Sequence, residues 1–516
     1  MNGAEATLKT LADCGVEACF TNPGTSEMQM VAAFDREQRV RPILCLFESV
    51  ATGAADGYAR MAGKPACTLL HLGPGLANGG ANLHNARRAF SPVVNIVGDH
   101  ATYHRACDAP LNSDIASLAR PHSNWVKSAE TADEAPALAA EAVAASFGPP
   151  GGVATLILPA DSAWSDASSE KPDVALPLHR YAIPAPAARV DAAAKAVRGA
   201  RKPVLLLGSL GCDERALEAA ARIAGAGVRV MTDTFTARLP RGAGRFAPDR
   251  LPYFAEMALA DLAGADLMLL AGAKTPVAFF AYPAMPSMLV PDGCKLELLC
   301  APHEDAAGAL EALAEALEVR KPAPVQTFHM PAKPSGELTA YTIGDSIARW
   351  APEGAVICDD AVTAGLPIFM QTRCAKPHDW LMLTGGAIGE GMPMAVGAAV
   401  AAPRRKVISL NGDGAGAYTL QSLWTIAREG LDITTVVFAN HAYRILHIEF
   451  ARTRSGEAGP AAARLLDLGD PRMDWVSLAT GFGVPAVRCL TAEEFDKAFS
   501  RAMTAGGPQF IEAAMG

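Results

Sequence analysis

The stretch from Lys406 to Glu449, KVISLNGDGAGAYTLQSLWTIAREGLDITTVVFANHAYRILHIE, narrows the folds open to this chain more than any other. Lys406–Leu410 is an apolar run of strand length that breaks at Asn411-Gly412-Asp413-Gly414. Leu420, Leu423, Trp424 and Ala427 then recur at i, i+3, i+4 and i+7, which predicts one apolar helix face. Gly430 marks the end of that helix, and Ile433–Ala439 is a second buried-strand run closing on Asn440. A strand–helix–strand unit implies parallel strands joined by a right-handed crossover. Asp413 and Asn440 then share the carboxyl-terminal edge of the sheet, where open α/β sheets bind ligands. Two readings stay open at this point. A carboxylate and a carboxamide oxygen beside a glycine-rich turn suit a hard divalent cation that also takes phosphate oxygens. The alternative is an ordinary acidic turn in a doubly wound domain.

The same rhythm recurs along the chain and predicts an α/β fold of three doubly wound, parallel-sheet domains. In the first, residues 1–165, Ala18–Phe20 leads into Thr21-Asn22-Pro23-Gly24-Thr25-Ser26-Glu27, a strand stopped by a turn whose hydroxyls suit a helix cap. Ile43–Phe47 reads as a strand with Glu48 immediately after it, and Cys67–Leu70 as another ending on His71. Val93–Val97 and Val153–Leu158 add two more. Glu48 and His71 therefore fall at strand ends on the ligand edge, although an acid at a helix start is also favoured by the helix dipole alone. Ser165–Arg189 is proline-rich and reads as a linker. The second domain, residues 190–319, has strands at Pro203–Leu207, Val228–Met231 and Leu267–Leu270, with a helix at Glu214–Ala224. Its Gly208-Ser209-Leu210-Gly211 is too weak a motif to imply a dinucleotide. Arg320–Glu337 is a second proline-rich linker, and residues 338–516 form the third domain, with a capping box at Thr491 and Glu494 and a last strand at Pro508–Ala513.

Composition excludes several classes. A formal net charge of −9 over 516 residues argues against a nucleic-acid or anionic-membrane partner. The 11 cysteines are odd in number and lack CxxC spacing, which points to reduced thiols in a cytoplasmic protein. The opening MNGAEATLKTLADCG reads as a helix start, and no apolar run is long enough to span a bilayer.

Several separated pieces resemble one family. Gly412-Asp413-Gly414 with Asn440 27 positions after Asp413, together with FTNPGTSEM, FESVATGAADGYAR and LTGGAIGEGMPMAVG, is similar to the thiamine-diphosphate-dependent decarboxylases and carboligases. That group includes benzoylformate decarboxylases and acetolactate synthases. The resemblance covers almost the whole chain, in the order pyrimidine-binding, middle and pyrophosphate-binding domains. It implies thiamine diphosphate and Mg²⁺ as cofactors, with Asp413, Asn440 and the Ala442 carbonyl as metal ligands. Gly414, Ala415 and Thr363 would meet the diphosphate, Gly412 and Tyr443 would also bind the cofactor, and Gly386 and Ile388 would meet its rings. Glu48 would hydrogen-bond the pyrimidine nitrogen, promoting the tautomer that deprotonates the thiazolium carbon. His71 and Thr25 would face the substrate, a small 2-oxo acid. The implied reaction is decarboxylation with aldehyde release or carboligation. Rival expectations are an acetolactate synthase, an FAD-dependent oxidase and a catalytically silent scaffold; FAD is tolerated by some relatives, but nothing in Val190–Val319 requires it. The resemblance further implies a homo-oligomer, a dimer at least and a tetramer by family habit, because the site lies between two chains. Phe279, Phe280 and Tyr282 stand where benzoylformate decarboxylase has a second histidine, and Ala439, His441 and Arg444 depart from the usual metal segment, which leaves the substrate open.

Overall fold

The structure is a computed structural model and describes residues 1–168, 183–319, 321–453, 455–456 and 458–515. Residues 169–182 of the expected first linker, Arg320 of the second and the terminal Gly516 lie outside the described residues.

Three sheets carry the described residues. The first has six parallel strands in the spatial order Arg41–Leu44, Ala18–Asn22, Ala66–Leu70, Val93–Asp99, Val153–Pro159 and Trp125–Ser128. Val93–Asp99 and Val153–Pro159 are buried at every position, as expected for central strands covered by helices on both faces. The second sheet runs Asp249–Arg250, Arg229–Thr232, Pro203–Leu207, Leu267–Ala271 and Lys295–Cys300, again all parallel. The third runs Ala486–Cys489, Gln509–Ala514, Ile433–Ala439, Val407–Gly412, Ala355–Asp360, His378–Met382 and Leu239–Arg241.

Leu239–Arg241 is a departure from the expected organisation. It comes from the middle of the chain, yet pairs antiparallel with His378–Met382 and closes the edge of the third sheet. Three residues give no alternation to read, and Pro240 speaks against a central strand, so only an edge position admits it. Trp125–Ser128 was likewise not foreseen, being four residues of mixed polarity. The last three residues of the expected linker, Ala187, Ala188 and Arg189, already belong to a helix, Ala187–Gly199. At Thr491 the hydroxyl accepts from the Glu494 N–H at 3.2 Å, but the Glu494 carboxylate takes the N–H of Leu490, not of Thr491, so the capping box is shifted by one residue.

The first and third sheets share one core through two helices, Glu48–Ala62 and Gly391–Ala401. Val50, Ala51, Ala54 and Ala55 of the first meet Met392, Met394, Ala395 and Ala398 of the second. GMPMAVGAAVA is apolar on every side and buried over most of its length, as a helix between two layers must be. The crossing is so close that a Cβ on Gly397 would lie 1.8 Å from the Ala54 carbonyl oxygen.

Arg60, near the end of the first helix, locks this packing. Its Nε donates to Asp56 Oδ1 at 2.8 Å, its Nη2 to Glu390 Oε1 at 3.1 Å, and its Nη1 to the Met382 carbonyl at 2.6 Å. All three charged side chains are at most 1% exposed.

Candidate functional site

The strand Val407–Gly412 ends on Gly412, and the chain turns at once into a one-and-a-half-turn helix, Asp413–Tyr418. Asp413 is its first residue, where a carboxylate is favoured by the exposed N–H groups. The expected continuous helix is interrupted. Leu420 falls in the turn between this helix and Ser422–Arg428, whose buried positions are Ser422, Leu423, Thr425 and Ile426. Trp424 and Ala427 are only half-buried, so the inward face is rotated from the expected one. Ile433–Ala439 is a strand as expected, pairing parallel with Val407–Gly412, and the Gly412↔Phe438 register brings Asp413 beside the turn after Ala439.

Asp413 is 2% exposed. Its Oδ1 accepts from the Gly414 N–H at 2.8 Å and its Oδ2 from the His441 N–H at 2.6 Å. No cation pairs with it among the described residues, and burial pushes its pKa up from the usual carboxylate range. Asn440 Oδ1 accepts from the Ala442 N–H at 3.0 Å. His441 between them has φ +55°, a left-handed backbone that turns the chain back over the sheet edge. Thr363, Ile388, Gly412, Asp413, Gly414, Ala415, Asn440, Ala442 and Tyr443 all line one cleft at this edge. The Tyr443 ring rests against Gly414, where a Cβ would fall 2.3 Å from it.

Gly386 does not line that cleft; with φ +76° it lies under the Phe279 ring of the middle segment. The loop that carries Gly386 and Ile388 is pinned from both sides. Asp360 Oδ2 accepts from the N–H groups of Gly389, Glu390 and Gly391 at 2.8, 3.0 and 3.1 Å. Burial raises the Asp360 pKa to about 7, against the opposing effect of those three bonds. From the first sheet's side, Asn85 Nδ2 donates to the Ala387 carbonyl at 2.8 Å and Asn82 Nδ2 to the Gly389 carbonyl at 3.3 Å.

Glu48, Thr25 and His71 lie at the carboxyl edge of the first sheet, away from the cleft that Asp413 lines. The strand expected to run to Phe47 stops at Leu44, and Glu48 is the first residue of its helix, half-buried, with Oε2 accepting from Asn78 Nδ2 at 3.0 Å. Thr25 is exposed at the start of a short 3₁₀ turn. His71 caps the next helix and its Nδ1 sits 2.8 Å from Glu27 Oε2.

Residues 1–118 match the thiamine pyrophosphate enzyme N-terminal TPP binding domain, and residues 366–513 the C-terminal TPP binding domain. A Mycobacterium tuberculosis protein named "Putative acetolactate synthase large subunit IlvX" is 50% identical, over 99% of this chain and 98% of that protein. The chain belongs to the thiamine pyrophosphate enzymes. A benzoylformate decarboxylase of Pseudomonas aeruginosa is 29% identical over 98% of this chain and 97% of its own. Among solved structures, the Rhodococcus jostii RHA1 thiamine diphosphate-dependent 4-hydroxybenzoylformate decarboxylase superposes with a TM-score of 0.87 at 25% identity, covering 100% of this chain and 99% of that one.

In this thiamine pyrophosphate enzyme two further residues bear on the site and escaped the sequence reading. Glu27, 1% exposed, holds His71 and also accepts from the Gly24 N–H at 2.8 Å, while its Oε1 has no partner among the described residues. Burial raises its pKa, with His71 acting in the opposite direction. Gly24 must be glycine for this arrangement, because a Cβ there would lie 2.3 Å from the His71 ring. The signal was present: Glu27 follows Gly24 by three residues, the spacing at which a carboxylate reaches back to a turn N–H. Asp360, at the end of the strand Ala355–Asp360, had no such signal, since its three partners are all distant in sequence.

Proposed function

We propose that this chain binds thiamine diphosphate with Mg²⁺ and decarboxylates a 2-oxo acid, releasing the aldehyde or passing the acyl unit to a second carbonyl. The observation that carries the reading is Asp413: a buried carboxylate without a cationic partner among the described residues, beside Asn440, in a thiamine pyrophosphate-binding domain. A bound cation relieves that uncompensated charge. The proposed ligands are the Asp413 carboxylate, the Asn440 amide oxygen and the Ala442 carbonyl, three residues that line the same cleft. An oxygen-only set of that kind suits Mg²⁺, which fills its octahedron with phosphate oxygens and water.

Gly412, Gly414, Ala415, Thr363 and Tyr443 would enclose the diphosphate, and Ile388 and Gly386 the rings. When bound, the cofactor supplies the nucleophile for the keto carbon and the sink for the electrons released with CO₂. Glu48 would hold a proton at the pyrimidine nitrogen, and His71, fixed by Glu27, would move one near the substrate while Thr25 meets its carboxylate. Because Glu48 lies outside the cleft lined by Asp413, we take each site to be completed by a second copy of the chain, making the enzyme a dimer at least and a tetramer by analogy with its relatives.

Incubating the protein with thiamine diphosphate, Mg²⁺ and a panel of 2-oxo acids, with and without an acceptor aldehyde, tests this directly. Release of CO₂ from at least one acid is expected, and none from any would sink the proposal. A second reading, synthesis of acetolactate from pyruvate, is favoured by the name of the 50% identical mycobacterial relative. Acetolactate with no free aldehyde would select it.

Two variants bear on the proposed roles. Asp413→Ala is expected to raise the half-saturating thiamine diphosphate concentration about 100-fold or more, since losing even outer partners of a metal site costs about 10–100-fold. Cofactor titration followed by activity or tryptophan fluorescence checks this. Glu27→Gln is expected to lower kcat/KM by about 10–100-fold with little change in melting temperature, as a group that orients a proton carrier should. Wild-type kinetics in that variant would remove Glu27 from the account.

A further inference from the structure

Away from the cofactor edge, a cavity of about 220 Å³ opens where the strand Leu239–Arg241 joins the third sheet. Four arginines line it: Arg229, Arg241, Arg250 and Arg373. Arg229 is neutralised by Asp261 at 2.9 Å and Asp249 at 3.1 Å. The other three have no carboxylate within ion-pair distance among the described residues. Arg250 and Arg373 each spend a donor on a backbone carbonyl, of Thr234 and Ala247 respectively.

Arg241 is the unusual one. It is 3% exposed, and its guanidinium makes one hydrogen bond among the described residues, a long contact of 3.5 Å to Thr372 Oγ1. Its guanidinium carbon lies 3.5 Å from the Phe369 ring centroid, and that of Arg250 lies 5.5 Å from the same centroid. Asp359 acts on Arg241 as an opposing charge, but its oxygens already accept from the Ala361 N–H and the Trp380 Nε1–H. Burial, then repulsion from Arg373 and Arg250, pushes the Arg241 pKa well down. A guanidinium does not give up its proton in a protein, so the desolvation stays uncompensated unless an anion shares the cavity. Stacking on Phe369 offsets only part of that cost.

We propose that this cavity binds a phosphoryl group, of inorganic phosphate or a small phosphate monoester, between Arg241, Arg250 and Arg373. A phosphoryl group carries nearly two charges at neutral pH and offers three terminal oxygens to three guanidinium forks. A monocarboxylate has neither the charge nor the oxygens to satisfy all three. Leu239, Leu366 and Phe369 provide an apolar wall for the organic part of an ester. The site is separate from the proposed diphosphate site, although one element touches both. Leu366, Phe369 and Met370 lie on the helix Gly365–Gln371, and the turn just before it, Ala361–Ala364, lines the cofactor-edge cleft.

The test uses the holoenzyme saturated with thiamine diphosphate and Mg²⁺, so that the cofactor's own phosphate contacts are filled. Inorganic phosphate and phenyl phosphate are titrated separately by calorimetry at constant ionic strength, balanced with KCl. Saturable binding of one ion per chain is expected, weakened about tenfold or more in Arg373→Met and abolished in Arg241→Met. Arg373 is half-buried with a single hydrogen bond to a carbonyl, so its variant should fold even if the Arg241 variant does not. Tighter binding of phenyl phosphate assigns the site to an ester, and equal binding assigns it to phosphate itself. No saturable heat with either probe at tens of millimolar, or wild-type affinity in Arg373→Met, overturns the proposal.

Discussion

Glu48→Gln is expected to lower turnover of any 2-oxo acid the enzyme accepts by about 100- to 10,000-fold, the range for losing a positioned proton-transfer group. Glutamine keeps the size and the hydrogen bond to Asn78, and the residue stays at the start of its helix, so folding should be nearly unaffected. What it cannot do is fill the role proposed for Glu48, sharing a proton with the pyrimidine nitrogen. Cofactor affinity should fall far less than turnover, because the proposed diphosphate contacts come from the other sheet edge, around Asp413. Steady-state kinetics with a thiamine diphosphate titration separates the two effects. Turnover within about threefold of wild type would show that Glu48 takes no part in the chemistry.

The largest stability loss is expected at Arg60. Arg60→Met removes the cation between Asp56 and Glu390 and leaves two carboxylates buried together, a change that costs about 3–5 kcal/mol when one partner of a buried ion group is lost. It also strips hydrogen bonds from the Met382 carbonyl and Thr384, and so loosens the junction between the Glu48 helix and the loop that carries Ile388. A triple variant that also carries Asp56→Asn and Glu390→Gln should recover much of the loss, because the unpaired charges go with it. Chemical denaturation of the two variants against wild type makes the comparison, and a single variant as stable as wild type would refute it.

The same cluster gives a pH dependence with a definite sign. Burial raises the Glu390 pKa well above its ordinary 4.5, with Arg60 opposing, while Asp56, despite its burial, is held below its own ordinary value by Arg60 and by Glu390. A carboxyl whose folded pKa is raised holds more protons in the folded than in the unfolded state above about pH 4.5. Its contribution to stability therefore falls as pH rises through that window. The loss in Arg60→Met should be smallest in mild acid and grow towards neutrality.

The parts of this molecule that were legible in its sequence are those built from continuous patterns. Ile433–Ala439 and Pro203–Leu207 are buried along their whole length, and unbroken β-branched and leucine runs announce such strands without help from the rest of the chain. Asp413 and Asn440 were legible because a crossover unit puts both strand ends on one edge, whatever packs around it. Helix faces were less secure. Leu420, Leu423, Trp424 and Ala427 share a spacing, but the chain had already used Asp413–Tyr418 as a separate helix, and a break at Thr419 resets the phase of Ser422–Arg428. The hidden features are those made by partners far apart in sequence. Asp360 reads as one more acid after a strand, and only the folded loop reveals the three N–H groups it holds. The cavity around Arg241 is of the same kind, since its walls come from two regions more than a hundred residues apart.

The strand Leu239–Arg241 bears on how this protein could be divided. Its backbone covers the outer side of His378–Trp380, which would otherwise present a row of unsatisfied N–H and C=O groups. A fragment beginning after the second linker carries the whole proposed metal edge but loses that cover. His378–Met382 is buried throughout, so the uncovered strand would open its backbone, and with it the apolar Trp380, Leu381 and Met382, to pairing with its own copy. The third sheet is thus finished by a piece of chain from more than a hundred residues earlier, and a fragment without that piece is expected to self-associate in solution.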